Sequence, residues 1–151
     1  MLTDLPRDAI TEQAKLTSVE CHMKDERAVW AGFKRHLPPK MMRRRIEDAS
    51  GNLGTWDTFL SMGGKSNWLE LKHEGPMAKP QLRPGQAAFG RDLFDAGLRS
   101  GYLVGSTDGS VRLIGQLTMG GDWREHLIFK REAMDADTVR TVLDYLGLGG
   151  Q

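Results

Sequence analysis

The stretch NWLELKHEG, residues 67–75, sets a carboxylate and an ammonium two residues apart at the end of an apolar run. In an extended chain alternate side chains share a face, so Glu70 and Lys72 lie together with Trp68, while Asn67, Leu69 and Leu71 point the other way. A solvated sheet face would give the same alternation, so this pair alone decides nothing. Asp57 stands thirteen residues before Glu70, in TWDTFLSM, across a glycine turn. If the two segments pair as a hairpin, cross-strand neighbours sit within roughly 5 Å, and both carboxylates can reach one ion. Two hard oxygen donors suit magnesium or manganese rather than zinc. Such an ion activates water at neutral pH and offsets charge developing on a phosphate, with Lys72 beside it to orient the water or neutralise the phosphate. Together these parts compose a phosphodiester hydrolase.

The elements that must position them can be read along the chain. DERAVWAGFKRHL carries Ala28, Val29, Gly32, Phe33 and Leu37 at near-helical spacing, with acids at its start and Pro38-Pro39 at its end, and predicts a helix. MMRRRIED, TWDTFLSM and NWLELKH read as strands, separated by the turn residues ASGNLG and GGKS. EGPMAKPQLRPG, with its three prolines, is a loop, and QAAFGRDLFDAGLRSG a helix ending at glycine. YLVGS and VRLIGQL read as strands around TDG, EHLIFK as a further strand segment, and DADTVRTVLDYLGLGG as a closing helix capped by Asp135 or Asp137. The predicted fold is α/β, a central mixed sheet flanked by helices in the order α-β-β-β-α-β-β-α. Residues 1–22 read as an N-terminal arm and residues 23–151 as a single domain.

Bulk properties narrow the function classes. A net charge of +1 supplies no global field for nucleic acid, so any such attraction is local. Residues 34–45, KRHLPPKMMRRR, concentrate six basic side chains without an acid: Lys34, Arg35, Lys40, Arg43, Arg44 and Arg45. A solvated face explains such a run as readily as a phosphate grip. One cysteine, Cys21, excludes an intrachain disulfide and fits a reducing compartment. No apolar run approaches the ~18 residues of a membrane span, so a cytoplasmic protein with no membrane partner is expected. GGKS imitates the end of a phosphate-binding loop, but position 59 is phenylalanine where that motif needs glycine. The cysteine and histidines lack zinc-ligand spacing. Trp30, Phe33, Phe89 and Phe94 read as core, whereas Trp68 could pack beside the site.

RIEDASGNLGTWD, WLELK, LRPGQ and AGLRSGYLVG together resemble the virus-type replication-repair nuclease (VRR-NUC) domain of the PD-(D/E)xK superfamily, over roughly residues 25–115. Small phage-encoded members and archaeal-type Holliday junction resolvases share this layout. The resemblance implies a restriction-endonuclease-like fold and a magnesium- or manganese-dependent DNA endonuclease. In it Asp57 and Glu70 are metal ligands, the Leu71 carbonyl is a possible third, and Lys72 is the catalytic lysine. Glu26 matches the acid on the family's first helix, which helps hold metal or its water, and Gln86 matches the glutamine opening the helix after the lysine strand. Glu47 competes with Glu26 for its role, and Glu74 reads as a rim residue. Trp56 departs from the family, which often has proline there. The implied substrate is branched DNA, a four-way junction above all, cut by a homodimer to leave 5′-phosphate and 3′-hydroxyl ends. The basic run would grip phosphates, extended by Lys79 and Arg83. A flap, nicking or restriction-type nuclease of the same fold, or an inactive DNA-binding module, are the alternatives.

Overall fold

The sheet and helices follow from short-range signals in the chain. In the computed structural model, which describes residues 23–46, 56–116 and 121–149, helix α1 (Glu26–Arg35) starts where the Asp25 carboxylate accepts the Ala28 N–H at 2.8 Å. Strands β1 (Met42–Arg45), β2 (Thr58–Met62) and β3 (Lys65–His73) follow, then helix α2 (Pro84–Asp95), strands β4 (Gly101–Gly105) and β5 (Val111–Ile114), a 3-10 turn at Trp123–His126, strand β6 (Leu127–Arg131) and helix α3 (Ala136–Tyr145). The arm over residues 1–22, with Cys21, and Glu47 with the predicted turn ASGNLG lie outside the described residues. The predicted order of five strands left out the further segment read in EHLIFK: Leu127–Arg131 pairs with β5 and forms the sixth strand. Its side chains are exposed or half-exposed throughout, so the alternation that marks a half-buried strand is missing.

The six strands form one mixed sheet in sequence order, β1-β2-β3-β4-β5-β6. Every neighbouring pair is antiparallel except β3 and β4, which are parallel and joined through α2. Gly63 and Gly64, at φ 61° and 79°, make the tight β2–β3 hairpin turn that side chains with a Cβ adopt poorly.

The sheet separates two apolar clusters. On one face Leu60, Leu69, Leu71, Leu103, Val111 and Leu113 pack against Val29 and Phe33 of α1 and Val139, Val142 and Leu143 of α3. On the other, Trp56, Tyr102, Val104, Ile114 and Trp123 pack with Leu93 of α2. Gly90 lets α2 come close: a Cβ there would stand 2.7 Å from the Trp56 ring. Arg112, fully buried on this second face, donates to the carbonyls of Ala78 (2.9 Å) and Gly75 (3.0 Å). Its guanidinium lies 4.5 Å from the Trp123 ring centroid. This arginine ties the proline loop between β3 and α2 to the sheet, and nothing in the sequence pattern announced it. Among the described residues no helix is long and apolar enough to cross a membrane.

Candidate active site

Alternation along β3 buries Asn67, Leu69 and Leu71 on the α1 face and sends Trp68, Glu70 and Lys72 to the α2 face. The register Thr58↔Leu69 sets Asp57 across from Glu70, and the Asp57 backbone N–H donates to Glu70 Oε2 at 3.0 Å. Asp57 Oδ1 accepts the Thr58 hydroxyl at 2.9 Å and the Leu71 N–H at 3.2 Å. The two acids expected to converge are therefore side by side, Glu70 3% and Asp57 13% exposed at the side chain.

Helix α2 completes the arrangement. Lys72 Nζ donates to Gln86 Oε1 at 2.7 Å, and Gln86 Nε2 donates to Glu70 Oε1 at 2.7 Å. Gln86 Oε1 also accepts the Arg83 N–H at 3.1 Å, so the orientation of the amide is fixed from both ends. The Gln86 backbone carbonyl accepts the Trp56 indole N–H at 2.9 Å, which anchors the residue next to Asp57 to the same helical turn. Lys72 Nζ itself stands 3.9 Å from Glu70 Oε1. The amide thus relays between ammonium and carboxylate. Gln86→Glu keeps the shape but turns an oxygen toward Glu70 where a donor is needed. Should the site cleave phosphodiesters, as the resemblance implies, Gln86→Glu is expected to lower the rate roughly a hundredfold and Gln86→Met to lower it without adding charge repulsion. Cleavage assays on the two purified variants, with melting curves to verify the fold, test this ordering.

Glu26, in the first turn of α1, meets the site through Arg45. Arg45 Nη2 lies 2.9 Å from Glu26 Oε1 and 3.6 Å from Asp57 Oδ2, and its buried Nη1 has no hydrogen-bond partner. Burial raises the Asp57 carboxyl from its ordinary range to about 7, helped by hydrogen bonding with Glu26 and opposed by Arg45. Burial, then the Asp57 charge, raises Glu70 to about 8 against the pull of Lys72. Three carboxylates face two cations here, so the cluster is short of positive charge. Hard oxygens in a buried carboxyl pair, which a divalent ion would hold deprotonated, suit magnesium or manganese at Asp57 and Glu70. Among the described residues no three His, Cys, Asp or Glu side chains form a ready-made metal cage, and Glu26 is engaged by Arg45. The Leu71 N–H is committed to Asp57, and its carbonyl lies on the same short segment of β3.

The basic residues divide by role. Lys34, Arg35, Lys40 and Arg44 are exposed or half-exposed, with Lys34 Nζ 5.7 Å from the Trp30 ring centroid. Arg43 instead braces its own turn, donating to the Met41 and Pro38 carbonyls, and Arg45 enters the acidic cluster. Lys79 and Arg83 are exposed on the loop leading to α2, with further protein contacts of their own. If β1 contacts a nucleic-acid backbone, as the resemblance implies, Arg44 is the arginine of that strand whose exposure leaves it available. Arg44→Ala is expected to lower the log–log salt slope of DNA binding by about one. Arg45→Ala should disturb cleavage instead. Anisotropy titrations across salt concentrations separate the two. Glu74 accepts the Gln81 N–H at the loop's rim rather than joining Glu70. No family model, curated protein or solved structure matches this chain.

Proposed function

We propose that the chain is a magnesium-dependent, structure-selective DNA endonuclease that hydrolyses phosphodiesters in branched DNA, four-way junctions foremost, and works as a homodimer. The observation that carries this reading is the linked set of Asp57 and Glu70 across one register position with Lys72 held to Glu70 through Gln86. The sequence resemblance to VRR-NUC nucleases and the cations Lys34, Arg35, Lys40 and Arg44 at the surface add to it. Asp57 and Glu70 would hold the cation, with Glu26 able to assist once released from Arg45. When bound, the divalent ion supplies water activation and neutralises charge on the phosphate. Lys72 presents a positive charge where a phosphate or its attacking water must be oriented, and Gln86 keeps that ammonium on station.

A homodimer follows from the substrate. Two opposing strands must be cut, and one chain supplies one such set, so a two-fold pair matches the symmetry of the junction. The test is a gel comparing a four-way junction, a flap, blunt duplex and single strand, each with magnesium and with EDTA, alongside light scattering. Magnesium-dependent cutting of the junction by a dimer supports the proposal. Cutting in EDTA, or no cleavage of any DNA, overturns it; a monomer that cuts flaps but leaves junctions intact replaces it with a flap nuclease.

A further inference from the structure

On the sheet face that carries Glu70 and Lys72, cross-strand register arranges side chains in rows. The Ile46 N–H donates to the Asp57 carbonyl at 2.7 Å, so Ile46, Asp57 and Glu70 make up the row of the candidate site. The adjoining row is Arg44, Phe59 and Trp68, in register on β1, β2 and β3. Arg44 lies on the exposed edge strand, and Phe59 and Trp68 are half-buried. Helix α2 reaches this row at Trp68, whose ring meets Phe89 edge-on with centroids 5.4 Å apart. Phe59 lies beyond that contact, its ring 5.1 Å from Trp68, and it belongs to neither apolar cluster. The next row, Met42, Ser61 and Ser66, is open: Met42 is 49% exposed and the two serine hydroxyls bond each other at 2.9 Å.

We propose that the Arg44–Phe59–Trp68 row is a stacking platform for unpaired bases of DNA whose cleaved phosphate lies over Asp57 and Glu70. The idea rests on the nuclease reading and adds that its branched DNA presents unpaired nucleotides beside the cut, as a flap does or a junction does once base pairs at its branch point open. Every base has a π-face, so aromatic rings bind single strands without regard to sequence, and an arginine in the same row stacks on bases or pairs with phosphates. The row is continuous with the candidate site. Two residues of strand separate them, roughly 7 Å, which corresponds to about two stacked nucleotides. A cation and paired hydroxyls suit a polyanion carrying flat bases better than the apolar centre of a protein interface, where charged residues are depleted.

The test measures anisotropy of a labelled blunt duplex and of the same duplex with a single-stranded tail, in calcium. Wild type is expected to bind the tailed DNA about tenfold more tightly, and Phe59→Leu and Trp68→Leu each to remove most of that difference. Blunt-duplex affinity should change less than about twofold in both. Phe59→Leu guards against a folding defect, since Phe59 lies outside both clusters. Equal affinity of wild type for the two DNAs, or equal weakening of both in the variants, overturns the platform while magnesium-dependent cleavage keeps the nuclease reading intact. If wild type neither binds nor cuts any DNA, both fall. A dimer that Phe59→Leu converts to monomer assigns this face to a second copy of the chain and overturns the platform alone.

Discussion

Asp57→Asn is expected to lose cleavage by roughly a thousandfold and, without metal, to melt at a higher temperature than wild type at pH 8. The first effect arises because a neutral amide is a poor ligand for a hard divalent ion, and several kcal/mol of charge stabilisation at the phosphate go with it. The second comes from burial. Asp57 ionises at about 7, so at pH 8 the metal-free wild type carries a desolvated anion beside Glu26 and Glu70. Asparagine keeps an oxygen for the Thr58 hydroxyl and the Leu71 N–H and discards the charge. Near pH 5 Asp57 is already mostly protonated, so the stability difference should shrink there. Melting curves at the two pH values in EDTA, with cleavage assays in magnesium, check both halves. Near-normal cleavage by Asp57→Asn would remove the assigned site. Glu70→Gln is a harsher change, because Glu70 accepts from both the Asp57 N–H and Gln86 Nε2, and one of these donors would then face an amide NH2.

Magnesium and protons should compete for the same two acids. Both folded-state pKa values, about 7 for Asp57 and about 8 for Glu70, lie above the ordinary carboxylate range. A raised carboxyl binds its proton more tightly folded than unfolded, so its stabilising contribution is complete below about pH 4 and is lost as pH rises through 7 and 8. The metal-free protein is expected to lose about 5 °C of melting temperature between pH 5.5 and 8.5. Magnesium should recover most of that loss at the alkaline end and little at the acid end, because the ion needs both carboxylates deprotonated. Cleavage should rise over the same interval. Calcium, which accepts the same oxygens with longer bonds and looser geometry, should stabilise the protein and support DNA binding without turnover. A pH-independent melting temperature in EDTA, or full activity in EDTA, would contradict the metal assignment.

The hairpin that carries Asp57, Glu70 and Lys72 was readable because its signals are local: two glycines at the turn, period-two alternation on β3, and acids in cross-strand reach. The link from Lys72 through Gln86 to Glu70 depends on where α2 docks, which spacing alone does not encode; the resemblance supplied Gln86 and the geometry supplied its bonds. The arginine run is finer-grained in the structure than in the sequence. Read as a charge block it has one role, yet strand parity splits it: Arg43 and Arg45 share a side, and Arg44 takes the other. That parity was present in MMRRRIED and would have separated Arg44 from its neighbours. Strand β6 was legible as the segment EHLIFK, though its lack of alternation kept it out of the predicted order, whereas buried Arg112 had no such signal, because it breaks the expectation that arginine stays in water.

The parallel pairing of β3 with β4 has a consequence for how the site comes into being. Asp57, Glu70 and Lys72 lie on one hairpin, whose closure spans few residues, so low contact order favours its contacts forming before those of the strands and helices beyond it. Gln86 and the covering Tyr102 arrive only when the crossover through α2 docks and β4 slots in beside β3, a slower, non-local event. Until then the lysine has no amide to steady it and the acids stand in water, at their ordinary strength as acids. A chain still leaving the ribosome would therefore expose the reactive side chains without the environment that tunes them. Contact order thus predicts that the site gains its tuning environment after its reactive side chains are already in place.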